Sequence, residues 1–157
     1  MYQIVLVYWT TGLQKVSTYW VPGGDFSALY YILQQPSWHR FDMGWVAWVF
    51  PLSQLATGVT WLWEVLCPVW LLFMWFRYTR ERPGRMRAFS NRYDARAVYA
   101  LIGLSFHIVI FILMDVGPFS PISVSFYLCF WHPDEYRAAL HKVTQKMSRR
   151  STPRPKS

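Results

Sequence analysis

No charged side chain interrupts the chain from Ala97 to Met114, and this constrains the fold more than any other feature. The run reads AVYALIGLSFHIVIFILMDVG through Gly117. At about 1.5 Å of rise per residue it covers most of a hydrocarbon core about 30 Å thick, so it predicts a membrane helix, ended by the Gly117-Pro118 pair. His107 sits in its middle, with Gly103 one turn before it and Asp115 about two turns after. Ala100, Gly103, His107 and Met114 share one stripe at helical spacing, and the small residues there admit a neighbouring helix on the side of the imidazole. An ionisable ring at that depth faces protein or a water-filled cavity rather than lipid. Two readings of His107 stay open: a hydrogen bond that ties helices together, or part of a functional site.

Hydrophobic residues fill 54 % of the 157 positions and aromatics 20 %, more than a soluble domain of this size covers with polar surface. The expected fold class is all-α, a multi-spanning helical integral membrane protein with interfacial helices. Mean hydropathy is only +0.12 because the charge is gathered into two basic blocks. Both blocks flank apolar runs, where Arg and Lys set topology and meet anionic headgroups. The net charge of +8 therefore predicts membrane lipid as a partner and no nucleic acid. Cys67 and Cys129 lie singly in apolar runs, without CxxC or Cys/His spacing, so neither a disulfide framework nor a metal is expected. Met1-Tyr2-Gln3 lacks the positive start of a secretory signal, and no small-residue cleavage site follows.

From the first residue, MYQIVLVYWT is apolar and TTGLQKVSTYW polar, which predicts one helix to Trp20. Tyr8, Thr11, Lys15 and Tyr19 share one of its faces. Lys15 either snorkels from a helix end to the interface or sits in a site with hydroxyls and rings. Val21-Pro22-Gly23-Gly24-Asp25 is a turn, with Asp25 placed to cap the next helix. Phe26, Leu29, Tyr30 and Leu33 repeat at helical spacing up to Pro36, too short to span, and predict a helix flat in the interface. Gly44 to Leu55, rich in Trp and broken at Pro51, predicts a second interfacial or half-inserted helix. Ala56 to Phe76 is the second expected span, and Glu64 is its one acid. An ionised carboxylate at such depth costs about 2.5–3.5 kcal/mol, so Glu64 is expected protonated or paired, as a helix-tying carboxyl or a proton relay. Pro68, one turn on, predicts a kink or a local polar contact.

Arg77, Arg80, Arg82, Arg85, Arg87, Arg92 and Arg96 then stand against Glu81 and Asp94, which makes the loop cytoplasmic by the positive-inside rule. A short helix from Phe119 to Trp131, interrupted at Pro121, returns the chain to a basic tail on the same side. Within that tail Tyr136, Leu140, Val143 and Met147 form an apolar stripe suited to a membrane-surface anchor. The expected divisions are a transmembrane domain over 1–131, a basic amphipathic helix over 132–148 and a disordered tail over 149–157. On this topology residues 20–55 are extracytoplasmic, and Lys15 and His107 fall in the outer or middle part of one bundle.

Three segments resemble one family in its own order. GLQKVSTYWVPGG is similar to the Gly-x-x-Lys…Trp…Gly stretch of the vitamin K-dependent gamma-carboxylase membrane domain and its bacterial relatives, the horizontally transferred transmembrane (HTTM) family. TWLWEVLCPVWLL resembles the family's acid-then-Pro span, and SFHIVIFILMDVGPFSPISVSFYL its Phe-His…Gly-x-Phe-Ser helix-turn-helix. The resemblance covers roughly residues 1–131. It corresponds to the C-terminal half of the family's domain, which has further helices before the Gly-x-x-Lys stretch.

The resemblance implies quinol-linked glutamate carboxylation or related chemistry, and a bacterial inner-membrane location. The lysine matched by Lys15 is the base that deprotonates vitamin K hydroquinone, and the histidine matched by His107 belongs to the same active region. The implied cofactor is vitamin K hydroquinone or another quinol, whose apolar ring and tail suit a cavity lined by Trp, Phe and Met. Implied partners are a peptide substrate and a partner subunit or the missing N-terminal half. The propeptide-holding soluble domain of the carboxylase has no counterpart here. The alternatives are a non-catalytic membrane subunit, a peptide-maturation or export factor, and a truncated inactive fragment.

Overall fold

The computed structural model describes residues 2–151, and among these the chain is all-α. It divides after Tyr127 into two compact units. The first holds α1 (Tyr2–Gln14), α2 (Ala28–Leu33), a 3-10 helix (Gly44–Val49), α3 (Phe50–Val65), α4 (Cys67–Tyr78), α5 (Arg85–Arg92), α6 (Ala95–Leu113) and α7 (Phe119–Tyr127). The second holds a 3-10 turn (Leu128–Phe130) and α8 (Pro133–Ser151). The helix expected over 132–148 thus runs on to Ser151, and the rest of the expected disordered tail lies outside the described residues.

By length and composition, α6 is the one described helix long and apolar enough to cross a membrane by itself. The segment Gly44–Val65 joined to Cys67–Tyr78 passes the same test as a bent pair, with 59° between its halves. The bend falls where Pro68 predicts it. Pro68 enters α4 in its first turn, where its missing N–H costs nothing, and Leu66 closes α3 by donating to the Leu62 carbonyl at 2.9 Å. Pro51 behaves in the same way: it starts α3 and does not break a helix as the sequence suggested. Pro121 likewise sits in the first turn of α7 and interrupts nothing.

Other boundaries differ from expectation because carbonyls and amides find closer partners. α1 stops at Gln14, short of Trp20, since the Thr18 and Tyr19 carbonyls accept from the amides of Asp25 (3.2 Å) and Ala28 (3.1 Å) instead of serving a helix. Gly24 makes this fold-back feasible: a Cβ there would lie 1.6 Å from the Thr18 oxygen. Asp25 caps a turn, not a helix, its Oδ1 accepting from the Ser27 amide and hydroxyl at 3.1 and 2.7 Å. α6 ends at Leu113, before Gly117, because the chain at Trp38–Arg40 pairs with it edge to edge. Arg40 donates to the Leu113 carbonyl (3.2 Å), and Asp115 donates to that of Trp38 (2.7 Å). Asp115 therefore lies beyond the helix, with an exposed side chain 3.9 Å from Arg40.

The first unit buries several polar side chains among its apolar and aromatic core and exposes large apolar ones. Ser53, Thr57, Thr60, Glu64, Arg96 and His107 are buried, while Leu101, Ile102, Ile108, Val109, Phe111 and Ile112 of α6 are exposed. α3 and α4 expose Leu52, Leu55, Leu62 and Leu72 in the same way, and Leu66 between them is exposed too. Between the helices Trp63 stacks on Tyr99 at 5.1 Å, and the Tyr99 ring also meets Trp70 at 5.1 Å. Trp63 and Tyr99 exchange hydrogen bonds: the indole N–H donates to the Tyr99 carbonyl at 3.0 Å, and the Tyr99 hydroxyl donates to the Trp63 carbonyl. That reciprocal clamp fixes α3 against α6. It also satisfies two polar groups that would be costly if buried alone.

Candidate functional site

α1 is held against α3 at a glycine. A Cβ on Gly12 would lie 2.8 Å from the Glu64 Cβ and 2.9 Å from the Val65 nitrogen, so the two backbones meet where only hydrogen fits. Lys15, just past the end of α1 and about one turn from Gly12, then turns inward. Its ammonium pairs with Glu64 Oε2 and lies 4.4 Å over the Trp20 ring. The pair is well covered, with side-chain exposures of 17 % for Lys15 and 5 % for Glu64. Lys15 does not snorkel outward, and Glu64 takes the paired alternative of the two expected for it.

His107 meets α1 about two turns nearer its start. The Tyr8 hydroxyl and His107 Nε2 are 2.6 Å apart. The ring is 0 % exposed and surrounded by Phe106, Phe119 and Tyr127 at 5.5–5.9 Å between centroids. Its other nitrogen, Nδ1, has no hydrogen-bond partner among the described residues. Gly103 opens the space below it, as the stripe Ala100, Gly103, His107 and Met114 predicts. A Cβ there would fall 2.1 Å from the Tyr127 hydroxyl and 2.4 Å from the Trp63 ring.

Lys15 and His107 are thus brought to one bundle but not into contact with each other. Lys15 contacts Glu64, His107 contacts Tyr8, and Trp63 lies against Tyr8 edge-on at 4.9 Å. Tyr8 as the histidine's partner was not foreseen, although Tyr8, Gly12 and Lys15 recur on one face of the first helix and carry that signal. The Trp63–Tyr99 clamp left no trace in the sequence pattern.

Beyond Trp63 lies a half-open apolar groove of about 350 Å³ between α2, α3 and α6. Leu29, Leu33, Val59, Trp63, Phe106 and Ile110 are among the residues that line it, and Thr60 and Ser105 add hydroxyls. Lys15, Glu64 and His107 do not line it. Trp63 is therefore shared, with one part on the groove and another on the polar cluster. Comparison with known protein families, curated proteins and solved structures finds no match for this chain.

Proposed function

We propose that this chain is a multi-pass integral membrane protein of the HTTM or vitamin K-dependent gamma-carboxylase-like kind, in which the Lys15–Glu64 and Tyr8–His107 pairs handle protons for a quinol-linked reaction. One observation carries the reading. The three segments that resemble the family, far apart in sequence, pack in one bundle: Gly12 and Lys15 of the first meet Glu64 of the second, Trp70 of the second meets Tyr127 of the third with 6.0 Å between ring centroids, and Tyr8, four residues before the first segment, meets His107 of the third. The exposed apolar faces of α3, α4 and α6 over buried polar side chains support the membrane setting, where helices associate through small residues and polar contacts. By the positive-inside rule the arginine-rich loop from Arg77 to Arg96 faces the cytoplasm.

The residues fit a quinol in their chemistry. A phenolic hydroxyl needs an acceptor in an apolar surround, and the buried Nδ1 of His107 has none of the described residues as partner. An apolar groove shares the Trp63 wall. A bound quinol would supply the reducing equivalents. Lys15 Nζ would then hold the abstracted proton, Glu64 would keep the amine in place, and the Tyr8 hydroxyl would set the orientation of the His107 ring. Because the Lys15 ammonium is already engaged by Glu64, the pair has to part or share its proton before Lys15 acts.

That engagement also favours a second reading, in which both pairs only tie helices together in a non-catalytic membrane subunit. Quinol consumption by membranes containing the full chain separates the two. Lys15→Gln, which keeps a donor for Glu64, is expected to reach the membrane at the level of the parent; Lys15→Ala, which leaves Glu64 buried without its partner, is expected to reach it at a lower level, so turnover is expressed per folded protein. Both should lose about two orders of magnitude or more of quinol-dependent turnover, as expected when a general base is removed. Turnover unchanged in both variants would remove Lys15 from the chemistry, and no quinol-dependent turnover by the parent above membranes lacking the chain would leave the subunit reading.

A further inference from the structure

The loop from Arg77 to Arg96 contains α5, whose faces divide three ways. Arg87, Ser90 and Asn91 look toward the end of α4: Ser90 is buried, Asn91 Nδ2 donates to the Phe76 carbonyl at 3.0 Å, and the Arg87 guanidinium lies 4.9 Å over Trp75. Met86, Phe89 and Tyr93 fall on the next stripe at helical spacing and are 72 %, 64 % and 56 % exposed. Phe89 and Tyr93 form one aromatic patch, with ring centroids 4.9 Å apart. Arg85 and Arg92 border that patch on its far side, and both are exposed. An apolar stripe with a packed edge and a cationic edge has no use in solvent alone.

We propose that this face of α5 is a docking surface for an anionic lipid leaflet, with Met86, Phe89 and Tyr93 inserted at the headgroup level and Arg85 and Arg92 on lipid phosphates. The charge balance favours lipid as the occupant. Seven arginines from Arg77 to Arg96 stand against Glu81 and Asp94, and Asp94 is occupied by Arg96 at 3.2 Å. Position favours it too, because α5 joins the end of the bent pair α3–α4 to the start of α6, the point at which a membrane-crossing chain leaves the bilayer. Aromatic residues and arginines are the side chains that settle at that depth. A polybasic segment there is attracted to anionic headgroups.

This inference rests on the membrane reading given above, and one set of spin labels tests the two separately. The full chain, with the exposed Cys129 changed to Ser and the buried Cys67 kept, carries a nitroxide at Phe89→Cys, Glu81→Cys or Leu101→Cys. It is reconstituted in vesicles of phosphatidylcholine alone or mixed with phosphatidylglycerol. Collisions with oxygen report lipid, and collisions with a water-soluble nickel chelate report water. The expected result is a lipid signal at 101 in both vesicles. At 89 nickel accessibility should fall below that at 81 once phosphatidylglycerol is present, and Arg85→Gln/Arg92→Gln should abolish that fall. A lipid signal at 101 with 89 as open to nickel as 81 would overturn the docking surface alone. Protection at 89 that is the same with and without phosphatidylglycerol would overturn the anionic character of the surface and leave an apolar contact indifferent to headgroup charge. A watery label at 101 would overturn the membrane reading, and this inference with it.

Discussion

Glu64→Ala is expected to destabilise the bundle by about 3–5 kcal/mol, the usual consequence of removing one partner from a buried ion pair. Both side chains are well covered, so the Lys15 ammonium would be left facing the Trp20 ring without a counter-charge. Glu64→Gln keeps an acceptor for the amine and should cost less. The coupling is measurable as a cycle. If the pair is formed, Lys15→Met with Glu64→Leu loses less than the two single changes added together. Thermal or denaturant unfolding of the full chain in detergent reads all of these. A Glu64→Ala protein as stable as the parent would mean that α1 is not held to α3 at this point.

The second large effect belongs to Gly103. A valine there must displace the Tyr127 hydroxyl and the Trp63 ring, which stand 2.1 and 2.4 Å from where its Cβ would go. Overpacking of this kind costs about 1–3 kcal/mol and more where the neighbours are rigid, and Trp63 is held by its own bond to Tyr99. Even Gly103→Ala should destabilise. Gly58, also within a helix, gives the opposite sign. Its added Cβ would meet the Phe26 ring at an ordinary 3.6 Å, so Gly58→Ala should gain up to about 1 kcal/mol from helix propensity. The contrast between two glycine-to-alanine changes, read by the same unfolding assay, separates close packing from backbone freedom. Equal effects at both positions would contradict the packing at Gly103.

These two positions also show what was legible in the sequence. The uncharged run from Ala97 and its stripe of small residues gave the side of α6 that packs, because a polar ring and two small residues at helical spacing leave few other arrangements. The bend at Pro68 followed from the same local physics. Helix ends were less legible. α1 is not continued beyond Gln14, nor α6 beyond Leu113, because distant segments, Asp25–Ala28 and Trp38–Arg40, take up the carbonyls of Thr18, Tyr19 and Leu113, and the sequence around those carbonyls does not name their partners. Asp25 illustrates the difficulty: an aspartate before a hydrophobic run serves equally as a helix cap or as the acceptor of a tight turn, and here it is the turn. Within the site, Lys15, Glu64 and His107 stood out as ionisable groups in apolar surroundings. Tyr8 did not, since a tyrosine on an apolar helix is ordinary until its hydroxyl is found against an imidazole.

The most direct test is quinol binding by the purified full chain in detergent, read as quenching of its ten tryptophans by vitamin K hydroquinone or menaquinol. Trp63 and Trp20 stand beside the polar cluster and report occupancy. Saturable quenching that His107→Ala abolishes, with the variant still folded, is the predicted result. Absence of saturable quenching in a folded sample, or quenching indifferent to His107, would contradict a quinol site at this cluster.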